Sequence, residues 1–449
     1  MKRVPRSLEQ WFAHQGQLHP KTIDLGLERL RTVLERLGWR QPPVPVVTVA
    51  GTNGKGSVTA YCAQVLAAAG HRVGTFTSPH LRDYRERIRV HDRLVTTDEL
   101  LWAFERIEAA RMGTGSDAVS LTFFEYNVLA AFLIFDAARL VAWVLEVGLG
   151  GRLDSVNVVD ATVAVVVSIG LDHQEFLGET RDEIAREKAG IFRAGRVAVL
   201  GSRELPPVLV GAALSIGATP KRLGREFDYT REVSGWSYRG RRRDLTGLPP
   251  PALLGDTQFS NAATALAALE ELDAQLPVSA AAVAQGLTSV RLAGRFQAIA
   301  PGEGKPSWIL DVAHNADAAR VLAQNLRALP IGGRTLAVCG ILADKDAAAI
   351  AAEVGGCFDA WWLASIEGAR GTSGSVLKDR IAGHVGGPLS VAADIAAACA
   401  AAHTAARPAD RIVVFGSFHA VGPALDWLES QGLLPRAPLP EYTDAPRKS

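Results

Sequence analysis

The run Val46-Val47-Thr48-Val49-Ala50 passes directly into Gly51-Thr52-Asn53-Gly54-Lys55-Gly56-Ser57, and a helical pattern follows from Ser57 to Ala69. A strand, a glycine turn and a helix N-terminus together aim backbone N–H groups at an anion. Gly54 and Gly56 let the main chain approach phosphates closely. Lys55 supplies a mobile positive charge for β- and γ-phosphates, and the Ser57 hydroxyl suits Mg2+. The strict Walker spacing is not met, because Val49 stands where its first glycine belongs and Gly56 separates Lys55 from Ser57. A glycine turn without a ligand is the bland alternative. The position between a buried strand and a helix favours the phosphate loop.

Other groups are ambiguous taken singly. Glu146 closes the apolar run Leu140 to Val147; a buried carboxylate needs a partner, and a carboxylate oxygen suits Mg2+. His173 follows the apolar run Ala161 to Ile169 by a few residues, which alone reads as a structural or solvated histidine. Its neighbour Asp172 reads as a helix cap or as a group supporting the histidine. Lys188 sits in the charged stretch Arg181 to Lys188 and reads as solvated. Asn261 opens an apolar helix and fits an N-cap. Arg295 falls in a linker, where arginine is usually solvated. Asp311 ends the first strand of a second series, as a ribose contact or a loop cap. Thr122-Phe123-Phe124-Glu125 opens an apolar helix, where two aromatics usually belong to the core.

These residues need elements to hold them. Ile23, Leu27, Leu30, Leu34 and Leu37 form one apolar helix face, stopped by Gly38. Arg72 to Thr77, Leu140 to Val147 and Ala161 to Ile169 read as strands, with a helix near Leu121 to Ala138. Continuous apolar strands alternating with helices imply a parallel sheet covered on both faces. Gly201 to Gln258 has a weak pattern of short strands and loops. Asn261 to Leu272 and Ser279 to Val290 are helical, and Arg291 to Phe296 is a linker. A second series follows at Trp308 to Val312, Thr335 to Gly340, Trp361 to Ser365 and Ile412 to Phe415, separated by alanine-rich helices. The expected fold is α/β with two domains: residues 1–294, a P-loop ATPase-like parallel sheet with flanking helices, and residues 295–449, a Rossmann-like α/β domain.

A chain of 449 residues exceeds one compact core. A net charge of +1 gives no basic stripe for nucleic acid, and no long uncharged apolar run suggests a membrane span. Cys62, Cys339, Cys357 and Cys399 are too widely spaced for a metal or disulfide pattern and read as buried thiols. With no apolar leader after Met1, a cytoplasmic protein is expected.

Gly51 to Ser57 resembles the phosphate loop of the Mur ligase superfamily. Further segments resemble its folate branch, the dihydrofolate synthase/folylpolyglutamate synthases: Lys21 to Leu27, Ser78-Pro79-His80-Leu81, Leu145 to Asp154, Arg186 to Phe192, Gly294-Arg295-Phe296-Gln297, Asp311 to Asn315 and Gly416-Ser417-Phe418-His419. They run in family order across nearly the whole chain. The resemblance implies ATP bound by Thr52, Asn53, Gly54, Lys55, Gly56, Ser57, Asn261, Arg295 and Asp311. It implies two Mg2+ ions held by Ser57, Ser78, Glu146, His173 and Lys188, the lysine being carbamylated and counted, with Lys55 and His314, among the catalytic groups. It implies a dihydropteroate or folate pocket lined by Asp24, Leu25, Gly26, Leu27, Thr122, Phe123, Phe124, Glu125, Leu153, Asp154 and Ser155. Many bifunctional members carry Ala where Ser155 stands. Ser417 and His419 are implied to lie near the incoming glutamate.

The implied reaction is ATP-dependent. The pterin carboxylate is phosphorylated to an acyl phosphate, and the amine of L-glutamate displaces phosphate. Expected partners are dihydropteroate, reduced folates, L-glutamate and ATP, with no nucleic acid and no membrane, and the chain is expected to be a monomer. Folylpolyglutamate synthesis alone, or another Mur-type amide ligation, is the alternative. A cell-wall Mur ligase would need a nucleotide-sugar domain before the loop, and only fifty residues precede Gly51. A P-loop kinase would consume no amino acid. A nucleotide-gated module without catalysis would have no use for Lys55, Ser57, Glu146 and His173 together.

Overall fold

The computed structural model describes residues 5, 7–300 and 302–434. The chain divides into two compact units, Met1–Leu292 and Ala293–Ser449.

The first unit is built on strands β1 (Val46–Ala50), β2 (Val73–Phe76), β3 (Ile88–Val90), β4 (Arg93–Leu94), β5 (Ala142–Glu146), β6 (Val163–Val166), β7 (Val197–Leu200) and β8 (Thr219–Arg222). They form one sheet in the order β4-β3-β2-β5-β1-β6-β7-β8. All pairs from β2 to β8 are parallel, and β3 and β4 add an antiparallel edge. Alternation along the central strands feeds two apolar clusters. Val46, Ala50, Trp143 and Leu145 face one, and Val47, Val49, Ala142 and Val144 face the other. Both faces are therefore dry, which is why these strands read as unbroken apolar runs. A small antiparallel sheet of β9 (Asp228–Glu232), β10 (Gly235–Arg239) and β11 (Asp244–Leu248) stands apart from the large one.

Register places the chemistry. Val49 is level with Glu146, and Ala50 with Val166. Phe76 is level with Leu145. The chain segments that follow β1, β2, β5 and β6, which carry Gly51, Ser78, Gly148 and Ser168, therefore leave the sheet at its carboxyl edge, where ligands of open α/β sheets gather.

The second unit carries β12 (Gln297–Ile299), β13 (Ser307–Asp311), β14 (Thr335–Cys339), β15 (Ala360–Ala364), β16 (Leu389–Ala392) and β17 (Arg411–Phe415). Its sheet order is β12-β13-β17-β14-β15-β16, parallel except for β12.

Several local expectations are corrected. Ile23 lies outside its expected helix, which runs Glu28–Arg36 with Leu27 at the N-cap; Gly38 follows it with φ 66°. A helix at Leu8–Leu18, capped by Ser7, buries Trp11 and was not expected. The segment 201–258 contains the helix Pro207–Ile216 as well as strands. Asn261 is not an N-cap, because its helix begins a turn earlier and runs Thr257–Glu270. Asp311 ends the second strand of its unit, after the short β12. The thiol of Cys357 is only partly buried, unlike the other three. No helix among the described residues is long and apolar enough to cross a membrane.

Candidate active site

The helix Lys55–Ala68 starts from Gly54, which sits at φ 84° and offers no side-chain cap. Its first turn is thus left to bind something other than a cap. A Cβ on Gly54 would lie 2.9 Å from Val167 Cγ1 and 3.0 Å from Asn261 Oδ1. Only glycine fits there, on grounds of both backbone and space. Ser168, just past β6, holds the loop: its hydroxyl accepts from Asn53 N and donates to Asn53 O, both at 2.9 Å. The Lys55 ammonium donates to the carbonyls of Gly51 and Thr52 at 3.1 and 3.2 Å, so the cation is folded over the loop. Ser57 is buried in the first turn.

Glu146, 4% exposed at the end of β5, accepts from the backbone N–H of Ser78 at 3.3 Å. His173 adopts φ 53° as the N-cap of the short helix Gln174–Leu177. Asp172 is the residue before that cap. It accepts from His173 N at 2.9 Å and lies 3.9 Å from its Nε2. Lys188 is buried in the helix Arg181–Ala189, which Thr180 and Glu183 cap reciprocally. A Cβ on Gly151 would come within 2.9 Å of Lys188 Cα, so the glycine loop after β5 packs directly on that helix. Burial, and secondarily the neighbouring Lys55 cation, push the Lys188 amine down to about 7, against opposing pulls from Asp172 and Asp154. The phosphate-loop lysine, the Asp172-His173 pair and Lys188 therefore lie within electrostatic reach of one another.

These donors suit Mg2+. Among the described residues, no three His, Cys, Asp or Glu side chains cluster as a closed metal cage would require. Mg2+ needs no such cage, since it takes one or two carboxylates and fills its octahedron with water and phosphate oxygens. Glu146 beside Ser78 supplies that kind of partial set. Glu146→Gln keeps the shape and removes the anion. It is expected to raise the Mg2+ concentration for half-maximal activity at least ~10-fold with little loss of thermal stability. An unchanged Mg2+ titration would remove Glu146 from the metal site.

The expected pterin segments converge. Gly26 N donates to Leu153 O at 3.3 Å. Thr122 and Glu125 form a reciprocal cap at the start of the helix Phe123–Ala137. Arg29 ties the segments together, donating to Asp24 at 2.6 Å and to Glu125 at 3.0 Å. Burial raises the Glu125 pKa, and Thr122 and Arg29 pull against it. Phe123 packs 5.9 Å from Tyr84, and Phe124 packs 5.8 Å from Phe76. The Phe124 ring also covers Gly148, where a Cβ would meet it at 2.5 Å. Asp154 spends its carboxylate on the backbone N–H groups of Leu149 and Val156, at 2.8 and 3.0 Å. Burial raises its pKa to about 6. Its place in the site is to shape the loop that carries Leu153 and Ser155. Ser155 itself is buried.

In the second unit, Asp311 accepts from Phe296 N and Ala313 N, both at 2.8 Å, and burial raises its pKa while Arg295 opposes the rise. Arg295 lies 5.2 Å over the Phe418 ring. His314 Nδ1 is 2.8 Å from Val312 O. A carbonyl only accepts, so Nδ1 carries a proton there. Ser417 is committed to structure: it accepts from Ala420 N and donates to Gly340 O, both at 3.0 Å. Burial first, then Arg370, lower the His419 pKa.

Arg29 and Ser168 have structural roles that the sequence reading passed over. Ser168 offered one signal, a hydroxyl at the end of an apolar run. Arg29 offered none, because it sits among Glu28, Arg31 and Arg36 on what reads as a solvated helix face.

A phosphate-binding loop, a sparse Mg2+ donor set and a buried low-pKa lysine on one parallel sheet, with a separate Rossmann-like unit, define an ATP-dependent ligase of the Mur type. Residues 49–203 match the Mur ligase middle domain, and residues 294–418 match the Mur ligase glutamate ligase domain. The chain is 42% identical to the dihydrofolate synthase/folylpolyglutamate synthase of Escherichia coli, over 96% of this chain and 98% of that one. It is 36% identical to the Haemophilus influenzae protein of the same name, over 92% and 96%. The structure of E. coli FolC in complex with DHPP and ADP superposes with a TM-score of 0.88 at 41% identity, covering 96% of this chain and all (100%) of that one. The chain belongs to the dihydrofolate synthase/folylpolyglutamate synthase family.

Proposed function

We propose that this enzyme is bifunctional, joining the amine of L-glutamate to the carboxylate of dihydropteroate and to that of reduced folates, with ATP consumed to ADP and phosphate. One observation carries the reading: the Gly51–Ser57 loop, Ser78 and Glu146 stand at the ends of adjacent strands of one sheet, and Lys188, Gly26 and Phe124 each pack on or bond to the loop that follows Glu146. A related structure of a bifunctional folylpolyglutamate synthase/dihydrofolate synthase was obtained with Mn, AMPPNP and L-glutamate, at 40% identity and a TM-score of 0.85 over 94% of this chain and 98% of that one.

The substrate carboxylate attacks the γ-phosphorus. The acyl phosphate forms, and ADP leaves. Lys55 and the N-terminus of its helix offset the negative charge spreading over the transferred oxygens. Ser57, Ser78, Glu146, His173 and Lys188 as its carbamate would hold two Mg2+ ions, which would neutralise charge on the phosphate oxygens. The glutamate amine then attacks the acyl carbon and phosphate leaves, with His314 assigned to take up the amine proton. Asn261, Arg295 and Asp311 are assigned to ATP, and Ser417 and His419 to the surroundings of glutamate. Ser417 acts there by fixing the loop, since both its hydrogen bonds are committed. The enzyme acts as a cytoplasmic monomer.

Ser155 favours a second reading, folylpolyglutamate synthesis alone. Ser155 is 5% exposed, and its hydroxyl has no hydrogen-bond partner among the described residues but is not one of their fully buried unpaired atoms, so it is open to solvent or to a ligand. A bound pterin that covered this hydroxyl without pairing it would cost ~1–3 kcal/mol, enough to weaken dihydropteroate binding about tenfold. The deciding measurement is glutamate-dependent ADP release with dihydropteroate and with tetrahydrofolate. Turnover with both is expected, and Ser155→Ala should improve the dihydropteroate KM. Turnover with tetrahydrofolate alone, at saturating dihydropteroate, would establish the second reading.

A further inference from the structure

Arg87 is a buried cation, 8% exposed, at the end of the capped turn Tyr84–Arg87. The only hydrogen bond of its side chain to a described residue runs from Nε to His80 Nδ1, at 2.7 Å. No carboxylate of a described residue lies within ion-pairing distance of it. The other buried arginines are spent differently. Arg111 closes on Glu108 at 2.6 Å, and Arg411 gives its terminal nitrogens to the Leu329 carbonyl and the Thr335 hydroxyl. The Arg87 terminal nitrogens have no acceptor among the described residues, yet they are not among the fully buried unpaired atoms, so this largely buried cation presents an open donor edge to an anion that the protein itself does not supply.

The surroundings say which anion. The guanidinium carbon lies 5.7 Å from the Phe123 ring and 5.9 Å from the Tyr84 ring. Glu86 and Glu146 are the carboxylates that act on it through space. The turn is bound to the metal-side strand end, where Thr77 N donates to Arg87 O at 2.9 Å and Thr77 Oγ1 donates to Glu86 O at 3.2 Å, one residue before Ser78. Arg87 therefore stands where the aromatic segment approaches Glu146, which is where the reacting end of a pterin substrate would lie. His80 fixes the Nε edge and leaves the Nη pair for a bidentate carboxylate.

Building on the function proposed above, we infer that Arg87 is a binding residue that grips the reacting carboxylate of the dihydropteroate or folate substrate and orients it for phosphorylation. Such a grip selects acids over neutral analogues before any chemistry.

The test uses the full chain and compares the affinity for dihydropteroate with that for its carboxamide, in the wild type, Arg87→Met and Arg87→Lys. The wild type should bind the acid at least ~10-fold tighter than the amide. Arg87→Met should abolish that preference and leave amide and ATP affinities within about twofold. Arg87→Lys should keep part of it, since it retains charge without the paired donors. Without substrate, Arg87→Met should melt no lower than the wild type, because an unpaired buried charge has been replaced by an apolar chain of similar length. An acid preference unchanged in Arg87→Met, or a loss confined to ATP affinity, would overturn the inference and leave the proposed function standing. A wild type that binds neither dihydropteroate nor tetrahydrofolate would overturn both.

Discussion

Replacing Lys55 by alanine is expected to cut the turnover number for glutamate-dependent ADP release at least ~100-fold, comparable to removing one fixed donor from a transition state. The ammonium is the only side-chain cation of Gly51–Ser57, and its bonds to Gly51 O and Thr52 O hold it across the loop. Charge on the transferred phosphoryl oxygens grows along the reaction, so the loss should fall on kcat more than on the KM for ATP. The helix N-terminus, the Gly54 turn and the Ser168 clamp do not depend on the lysine side chain, so nucleotide binding should survive. Lys55→Arg is expected to recover little. Its planar fork is a different shape from a compact ammonium, and the space beside the loop is set by Val167 and Asn261. A kcat within threefold of wild type in Lys55→Ala would remove the Gly51–Ser57 loop from the chemistry.

The sequence made the central strands of the first sheet legible where a long apolar run is buried on both faces, while the comparably buried but four-residue Val197–Leu200 went unread. Val46–Ala50 and Ala142–Glu146 read as strands because no position in them meets water. The β16 strand went unread because it is an edge whose residues are half-buried or exposed, and β12 because it spans only three residues. Gly54 was legible because a left-handed turn wedged against Val167 admits nothing else. Arg29 and Arg87 were not. Tyr84-Arg85-Glu86-Arg87 reads as solvated charge, and only the Asp83 cap and the bonds to Thr77 turn Arg87 inward. Burial of single charged residues is decided by tertiary packing, and composition carries no trace of it. Lys188 shows the same limit: its charged neighbours suggest a solvated helix, while the glycine loop packed on that helix buries it.

That burial leads to the second large effect. In the presence of bicarbonate, Lys188 is expected to carry a carbamate, and Lys188→Ala is expected to lose activity at least ~100-fold. A carbamate forms when a neutral amine attacks CO2 and sheds a proton. An ordinary lysine near 10.5 is almost wholly protonated at neutral pH, but Lys188 sits at about 7 and is about half neutral there. Burial is the larger cause and the Lys55 cation the second. Both penalise an ammonium, and the Lys55 charge favours an anion in its place. The sign follows for activity. Raising pH through about 7 frees the amine and favours the carbamate. Lowering pH through the same range protonates it, so activity should fall on the acid side, and added bicarbonate should partly restore it. Labelled 13C-bicarbonate with carbon NMR on the native enzyme reads the modification directly, and acidic mass spectrometry would destroy it. A labelled carbamate signal that disappears in Lys188→Ala, together with lost turnover, is the expected pair of results. No signal in the wild type, with full activity in the variant, would leave Lys188 as a buried neutral amine whose low pKa serves packing alone.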